Sequence, residues 1–213
     1  MNLINNLKAV ILSIADFFRR SSEVLEEDRV FLFLDINSST ESAERLGNRE
    51  YSRYLNRFFE QVEDAAYSCN GEIYECVGDE VVLSWEKNDA YNQQNCIRCF
   101  FMIKDDVAAH KSLYIREFGQ MPVFKGSIHG GKVMPTAPLI YREKPVYHGH
   151  VLNVTSRLQE LCYQYGQELI VSLNVWEKIP VNKSYRAFAI GLVKIRGSAF
   201  PLEIFGVKSV QAK

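Results

Sequence analysis

From Val30 onward, apolar and polar positions switch between two periods, and each switch marks an element. VFLFL is an unbroken apolar run closing on Asp35, which predicts a strand covered on both faces. SSTESAERLG then opens a helix, with Ser38 and Glu41 at the spacing of a capping box. After Gly47 the helical period resumes, placing Tyr51, Tyr54, Leu55, Phe58, Phe59 and Val62 on one side. EIYEC and EVVLSW flank a Val-Gly-Asp turn and predict a hairpin. A helix through CIRCFFMIKDDVAAH and a strand at FKGSIHGG complete the order strand, helix, strand, strand, helix, strand. That order predicts an α/β (α+β) chain with a ferredoxin-like βαββαβ sheet core. A connection with Pro135, Pro138 and Pro145 follows, then a helix bearing Asn153 and Arg157, the strand ELIVSL and a hairpin around IRGSAF.

The start of the chain is patterned differently. Leu3, Leu7, Val10, Ile11, Ile14, Phe17 and Phe18 form a helical stripe opposed by Asn6, Lys8, Ser13, Asp16 and Arg20. The longest uninterrupted apolar run there is AVIL, which fits neither a signal peptide nor a membrane span. The stripe is expected to pack on its own domain or on a second copy in preference to a membrane surface, with SSEVLEED as a polar linker. Residues 1–28 are thus read as an amphipathic helix and linker, and 29–213 as one domain.

Composition narrows the classes. Lys and Arg (25) nearly balance Asp and Glu (26), so no broad field attracts a nucleic-acid backbone or an anionic membrane. Five cysteines, an odd number, in a chain of 213 residues point to a reducing, cytoplasmic setting. Cys96 and Cys99 form a CxxC with no second pair to complete a zinc site, and Cys76 reads as a small core hydrophobe. His129, His148 and His150 have no carboxylate at ligand spacing.

The chemistry lies elsewhere. Asp35 at a strand end and Asp79 in a tight hairpin are expected to converge on divalent cations, brought together by parallel neighbours in the sheet. Asn153 and Arg157, four apart, share one helix face. Backbone N–H groups of Asn37, Ser38, Ser39 and Thr40, between strand and helix, suit phosphate oxygens. Together these features point to nucleotide chemistry.

Five segments, FLDINSSTESAERLG, GEIYECVGDEVVLSW, KGSIHGGKV, HGHVLNVTSRLQ and ELIVSLNVWEKI, resemble, in order, the catalytic domain of class III nucleotidyl cyclases. The resemblance spans roughly Arg29 to Val207. It implies that Asp35 and Asp79, with the Ile36 carbonyl, hold two Mn²⁺ or Mg²⁺ ions. It implies that Asn37–Thr40 cradle phosphate, that Asn153 positions the ribose, and that Arg157 stabilises charge on the α-phosphate. Arg196 takes the place of a basic residue for the terminal phosphates, with Lys194, Arg142 or Lys144 as substitutes. In this family the aspartates and the Asn/Arg pair come from opposite protomers, which implies a homodimer.

Base selection departs from the family pattern. Adenylyl cyclases place a Lys at the position of Glu75 and an Asp or Thr near Val146, and neither is present. Guanylyl cyclases place a Glu at the first and often a Cys at the second, so only Glu75 matches. A chain of this kind also resembles pyrimidine cyclases of bacterial anti-phage defence, which make cUMP or cCMP for a separate effector. A pyrimidine product is the expectation, with Tyr51 or Tyr54 narrowing the pocket against purines. The alternatives are a guanylate or adenylate cyclase, or a catalytically silent domain for dimerisation or nucleotide sensing. A diguanylate cyclase leaves the Asn/Arg helix unexplained, and an RNA-binding module lacks the aromatic strand signature.

Overall fold

In the computed structural model, residues 25–136, 145–180, 183–196 and 198–210 are described. The N-terminal stripe, most of the linker, Arg142 and Lys144 lie outside them. The elements, in order, are β1 (Glu27–Ile36), α1 (Ser39–Ser68), β2 (Glu72–Val77), β3 (Glu80–Glu86), α2 (Lys87–Tyr91), α3 (Asn95–Ala109), α4 (Lys111–Phe118), β4 (Phe124–Thr136), β5 (Val146–His148), α5 (His150–Gln164), β6 (Leu169–Ser172), α6 (Leu173–Trp176), β7 (Tyr185–Val193) and β8 (Leu202–Ser209).

The chain forms two compact units. The larger, Asp28–Gly131 with His150–Lys213, holds the sheet in the order β2-β3-β1-β4-β6-β8-β7. Its first four positions are the ferredoxin-like arrangement expected from the sequence. β1 is buried from Val30 to Leu34 because strands lie on both sides of it and its apolar run faces side chains above and below. Phe58 of α1, Phe100 of α3 and Phe124 of β4 pack in one aromatic group, with ring centroids 5.2 and 5.5 Å apart. This places α1 and α3 on the core, where Tyr54, Val62, Ile97 and Ile103 are buried.

The pairing of β1 with β3 is antiparallel, Leu34 opposite Val81, whereas parallel neighbours were expected. The result for the aspartates is the same: the end of β1 lies beside the start of β3, directly after the hairpin turn. Arg29, buried under the sheet, pairs with Glu72 and donates to Ser84 Oγ at 2.9 Å, tying β1, β2 and β3 together. In the smaller unit, Met134–Thr136 of β4 pair with Val146–His148 of β5, and Thr136 Oγ1 donates to the Val146 carbonyl at 3.0 Å.

Two local expectations change. Ser38 precedes α1 with φ 55° and ψ 39°, and its hydroxyl makes no cap, so the Ser38/Glu41 capping box does not form. An N-cap side chain acts from extended backbone, which this left-handed residue does not adopt; the Ser38 carbonyl instead accepts from Ser42 N and Oγ. Cys76 is exposed, because β2 is the edge strand and its last residues lack a covering layer.

Candidate active site

In the larger unit, β1, the β2–β3 turn, α1 and α5 converge on the acidic residues. β1 delivers Asp35, half-buried, whose Oδ2 accepts from the Tyr163 hydroxyl at 2.7 Å. The β2–β3 turn delivers Asp79, and the turn closes through Gly78 at φ +63°, a conformation costly for side-chain-bearing residues. Asp79 Oδ2 is buried and accepts no hydrogen bond within the protein. Burial pushes the Asp35 carboxyl above its usual range, the Tyr163 hydroxyl pulls it back, and the Asp79 charge adds to the rise. Glu80 is raised too, by burial first and then by Asp35, Asp79 and Glu75. Tyr51 also reaches this cluster: burial, then the Asp79 charge, pushes its hydroxyl up, and a hydrogen bond with Ser39 opposes them.

These residues suit divalent cations. A buried carboxylate oxygen without a donor is costly, and here its charge adds to the rise at both Asp35 and Glu80. Among the described residues, no group of three or more His, Cys, Asp or Glu side chains is placed to hold a metal unaided. Further ligands would come from a carbonyl such as that of Ile36, water, or the oxygens of a bound phosphate.

Of the turn expected to cradle phosphate, the Asn37 N–H is already given to the Val123 carbonyl at 2.7 Å. Asn37 Oδ1 is buried without a hydrogen bond. Ser38 and Thr40 are exposed and Ser39 half-buried at the start of α1.

The second group of expected residues gathers on α5. His150, Asn153, Ser156, Arg157 and Arg196 line a cavity of about 310 Å³. Arg196, after β7, thus joins the Asn/Arg pair although it is far from it in sequence. Arg157 pairs with Glu160, one turn on. The carboxylates are not in this lining. Glu75 is half-buried on β2, beside an irregularity in register between Ile73 and Glu75. Val146 lies on β5 in the smaller unit.

Tyr54 lines a cavity with Asn37, Ser38, Ser42 and Gln120. It is 1% exposed and packs edge-on against Tyr114 and Phe118. His129 is buried, its Nδ1 2.8 Å from Ser172 Oγ, and burial lowers its pKa to about 4. Tyr163, Glu80, His150 and Ser156 were missed as site residues. No periodicity links Tyr163 to Asp35, but Glu80, adjacent to Asp79, was within reach of the hairpin pattern.

Structural comparison decides the fold. The chain aligns with the adenylyl cyclase CyaB from P. aeruginosa at a TM-score of 0.72 and 18% identity, covering 89% of this chain and 96% of that one. The fold is that of a nucleotidyl cyclase catalytic domain. The guanylyl cyclase Cya2 gives a TM-score of 0.73 at 21% identity, covering 88% of this chain and 94% of its own. In sequence, the chain is 28% identical over 188 residues to adenylate cyclase 2 of Rhizobium meliloti (strain 1021), covering 88% of this chain and 52% of that protein. The adenylate cyclase of Anabaena cylindrica is 24% identical over 181 residues, covering 84% and 36% respectively. The chain therefore spans about half the length, or less, of these curated cyclase relatives. No protein-family model matches.

Proposed function

We propose that residues 29–213 form the catalytic domain of a nucleotidyl cyclase, converting a nucleoside triphosphate to a 3′,5′-cyclic nucleotide and pyrophosphate. The observation that carries this reading is the donor-free, buried Asp79 Oδ2 beside Asp35, within a cyclase fold. Two divalent cations, Mn²⁺ or Mg²⁺, held by Asp35, Asp79 and the Ile36 carbonyl, would lower the pKa of the ribose 3′-hydroxyl and neutralise triphosphate charge. The remaining work falls to the chain. Ser38–Thr40 orient phosphate at the start of α1, with Asn37 contributing through its side chain because its N–H is committed. Arg157 meets α-phosphate oxygens through its planar fork, Asn153 holds the ribose, and Arg196 faces the terminal phosphates from the same cavity.

The carboxylates and the α5 cavity do not share a lining, which supports a homodimer in which one protomer gives Asp35 and Asp79 and its partner gives Asn153, Arg157 and Arg196. For the base, a pyrimidine is favoured, the product being cUMP or cCMP read by a separate anti-phage effector. Support comes from Glu75 as an acceptor in place of the adenine-reading Lys and from Tyr51 at the acidic cluster. A purine reading is favoured by the curated relatives, which are adenylate cyclases.

The test incubates purified protein with Mn²⁺ and ATP, GTP, CTP or UTP separately, resolving products by mass spectrometry, with Asp79→Ala as control. One dominant cyclic nucleotide, lost in the control, supports the cyclase and fixes the base. No cyclic product from any nucleotide, with dimerisation confirmed by light scattering, sinks it in favour of a silent dimerisation or sensing domain.

A further inference from the structure

The helix carrying Asn153 and Arg157 also touches the acidic cluster of its own chain, through a residue the reading above leaves without a role. Tyr163 is 44% exposed, yet its hydroxyl donates to Asp35 Oδ2 at 2.7 Å. The Lys125 ammonium lies 3.8 Å from the centroid of its ring and donates to the Cys162 carbonyl at 3.4 Å. The helix beneath is stitched to β4. Ser127 Oγ donates to the Thr155 carbonyl at 2.8 Å, Gln159 Nε2 to the Lys125 carbonyl at 2.9 Å, and Cys162 Sγ to the Gly126 carbonyl at 3.2 Å. A hydroxyl held this firmly fixes where the Asp35 carboxylate points, against the charges of Asp79 and Glu80. It takes one lone pair of Oδ2, and a carboxylate has further lone pairs to offer a cation.

We propose that Tyr163 is a positioning residue for the cation site, holding the Asp35 carboxylate in its ligating orientation from the helix that carries Asn153 and Arg157. The inference rests on the reading of Asp35 and Asp79 as cation ligands. Donors that orient a ligating carboxylate typically change metal affinity about 10–100-fold when removed. Because the tyrosine belongs to α5, a shift of that helix alters cation affinity at Asp35, and cation binding at Asp35 restrains the helix.

Mn²⁺ alone is titrated onto the full chain, the free ion being read by electron paramagnetic resonance, for the wild type, Tyr163→Phe and Asp35→Asn. Tyr163→Phe keeps the ring under Lys125 and removes only the hydroxyl. Near-ultraviolet circular dichroism confirms that each variant is folded at the titration temperature. The expected result is Mn²⁺ affinity about tenfold weaker in Tyr163→Phe with an unchanged unfolding midpoint, and no saturable binding in Asp35→Asn. Turnover should show a matching rise in the Mn²⁺ activation constant, with kcat retained at saturating Mn²⁺. Wild-type binding abolished by Asp35→Asn but unchanged or tighter in Tyr163→Phe overturns this inference and leaves the cation site standing. A wild type that binds no Mn²⁺ overturns both.

Discussion

Asp79 keeps a carboxylate oxygen buried without a donor, next to Asp35 and Glu80, both raised by their surroundings. A raised carboxyl binds its proton more tightly in the folded state than in the unfolded one. Stability from Asp35 and Glu80 is therefore greatest below their ordinary values of 3.8 and 4.5 and falls as pH rises through the raised ones. Metal-free wild type should lose unfolding midpoint over that window, and Glu80→Gln should flatten the loss in a pH series of thermal melts. Asp79→Asn removes one charge of the cluster, so the metal-free protein should gain on the order of 1 kcal/mol, about 2–4 °C in Tm, while losing Mn²⁺ binding. His129 behaves oppositely: its neutral form is favoured, so its contribution is present above 6.5 and lost as pH falls toward about 4. The positions of Asp35, Asp79, Asn153 and Arg157 in the fold were legible because a strand end, a hairpin turn and a helix face each have a sequence pattern. Tyr163 was not, since it lies 128 positions from the carboxylate it touches and only the folded sheet connects them.

Elements place these side chains, and the hairpin does so through one glycine. Gly78→Val forces a β-branched residue into the left-handed region, costing about 1–3 kcal/mol or reshaping the turn. The expected outcome is a lower unfolding midpoint in denaturant melts together with weaker Mn²⁺ binding, because Asp79 follows directly. Most elements could be read from periodicity, since VFLFL has strand-core character and the stretch after Gly47 has a helical face. The Gly47 break is real: α1 is interrupted there at φ 73°, ψ 160°. What escaped was short. α4 has a single buried pair, Tyr114 and Phe118, and β5 has three residues held by pairing with β4, so neither builds a sustained pattern. The Ser38 expectation failed because a left-handed residue before a helix is chosen by the path of the chain rather than by residue type.

For the whole molecule, the order β2-β3-β1-β4 was legible from element sequence, while its continuation through β6, β8 and β7 was not, since β6 joins β4 in parallel across α5. Sites shared between protomers carry a quantitative signature. Asp79→Ala and Arg157→Ala should each lower kcat by roughly 100-fold or more. Refolded together in equal amounts, they should recover about a quarter of wild-type activity, because half the dimers are mixed and each mixed dimer has one intact site. Recovery absent despite mixed dimers seen by native mass spectrometry would place all the residues in one chain's site. The mutual repulsion of Asp35, Asp79 and Glu80 has a further consequence, for turnover of the protein in the cell. A cation bound only by the folded form adds RT ln(1 + [M]/Kd), about 1.4 kcal/mol at tenfold Kd, and proteases sample the unfolded fraction. Cation scarcity would then shrink the pool of the protein as well as its loaded fraction, and any cation-dependent activity would fall more steeply than site occupancy.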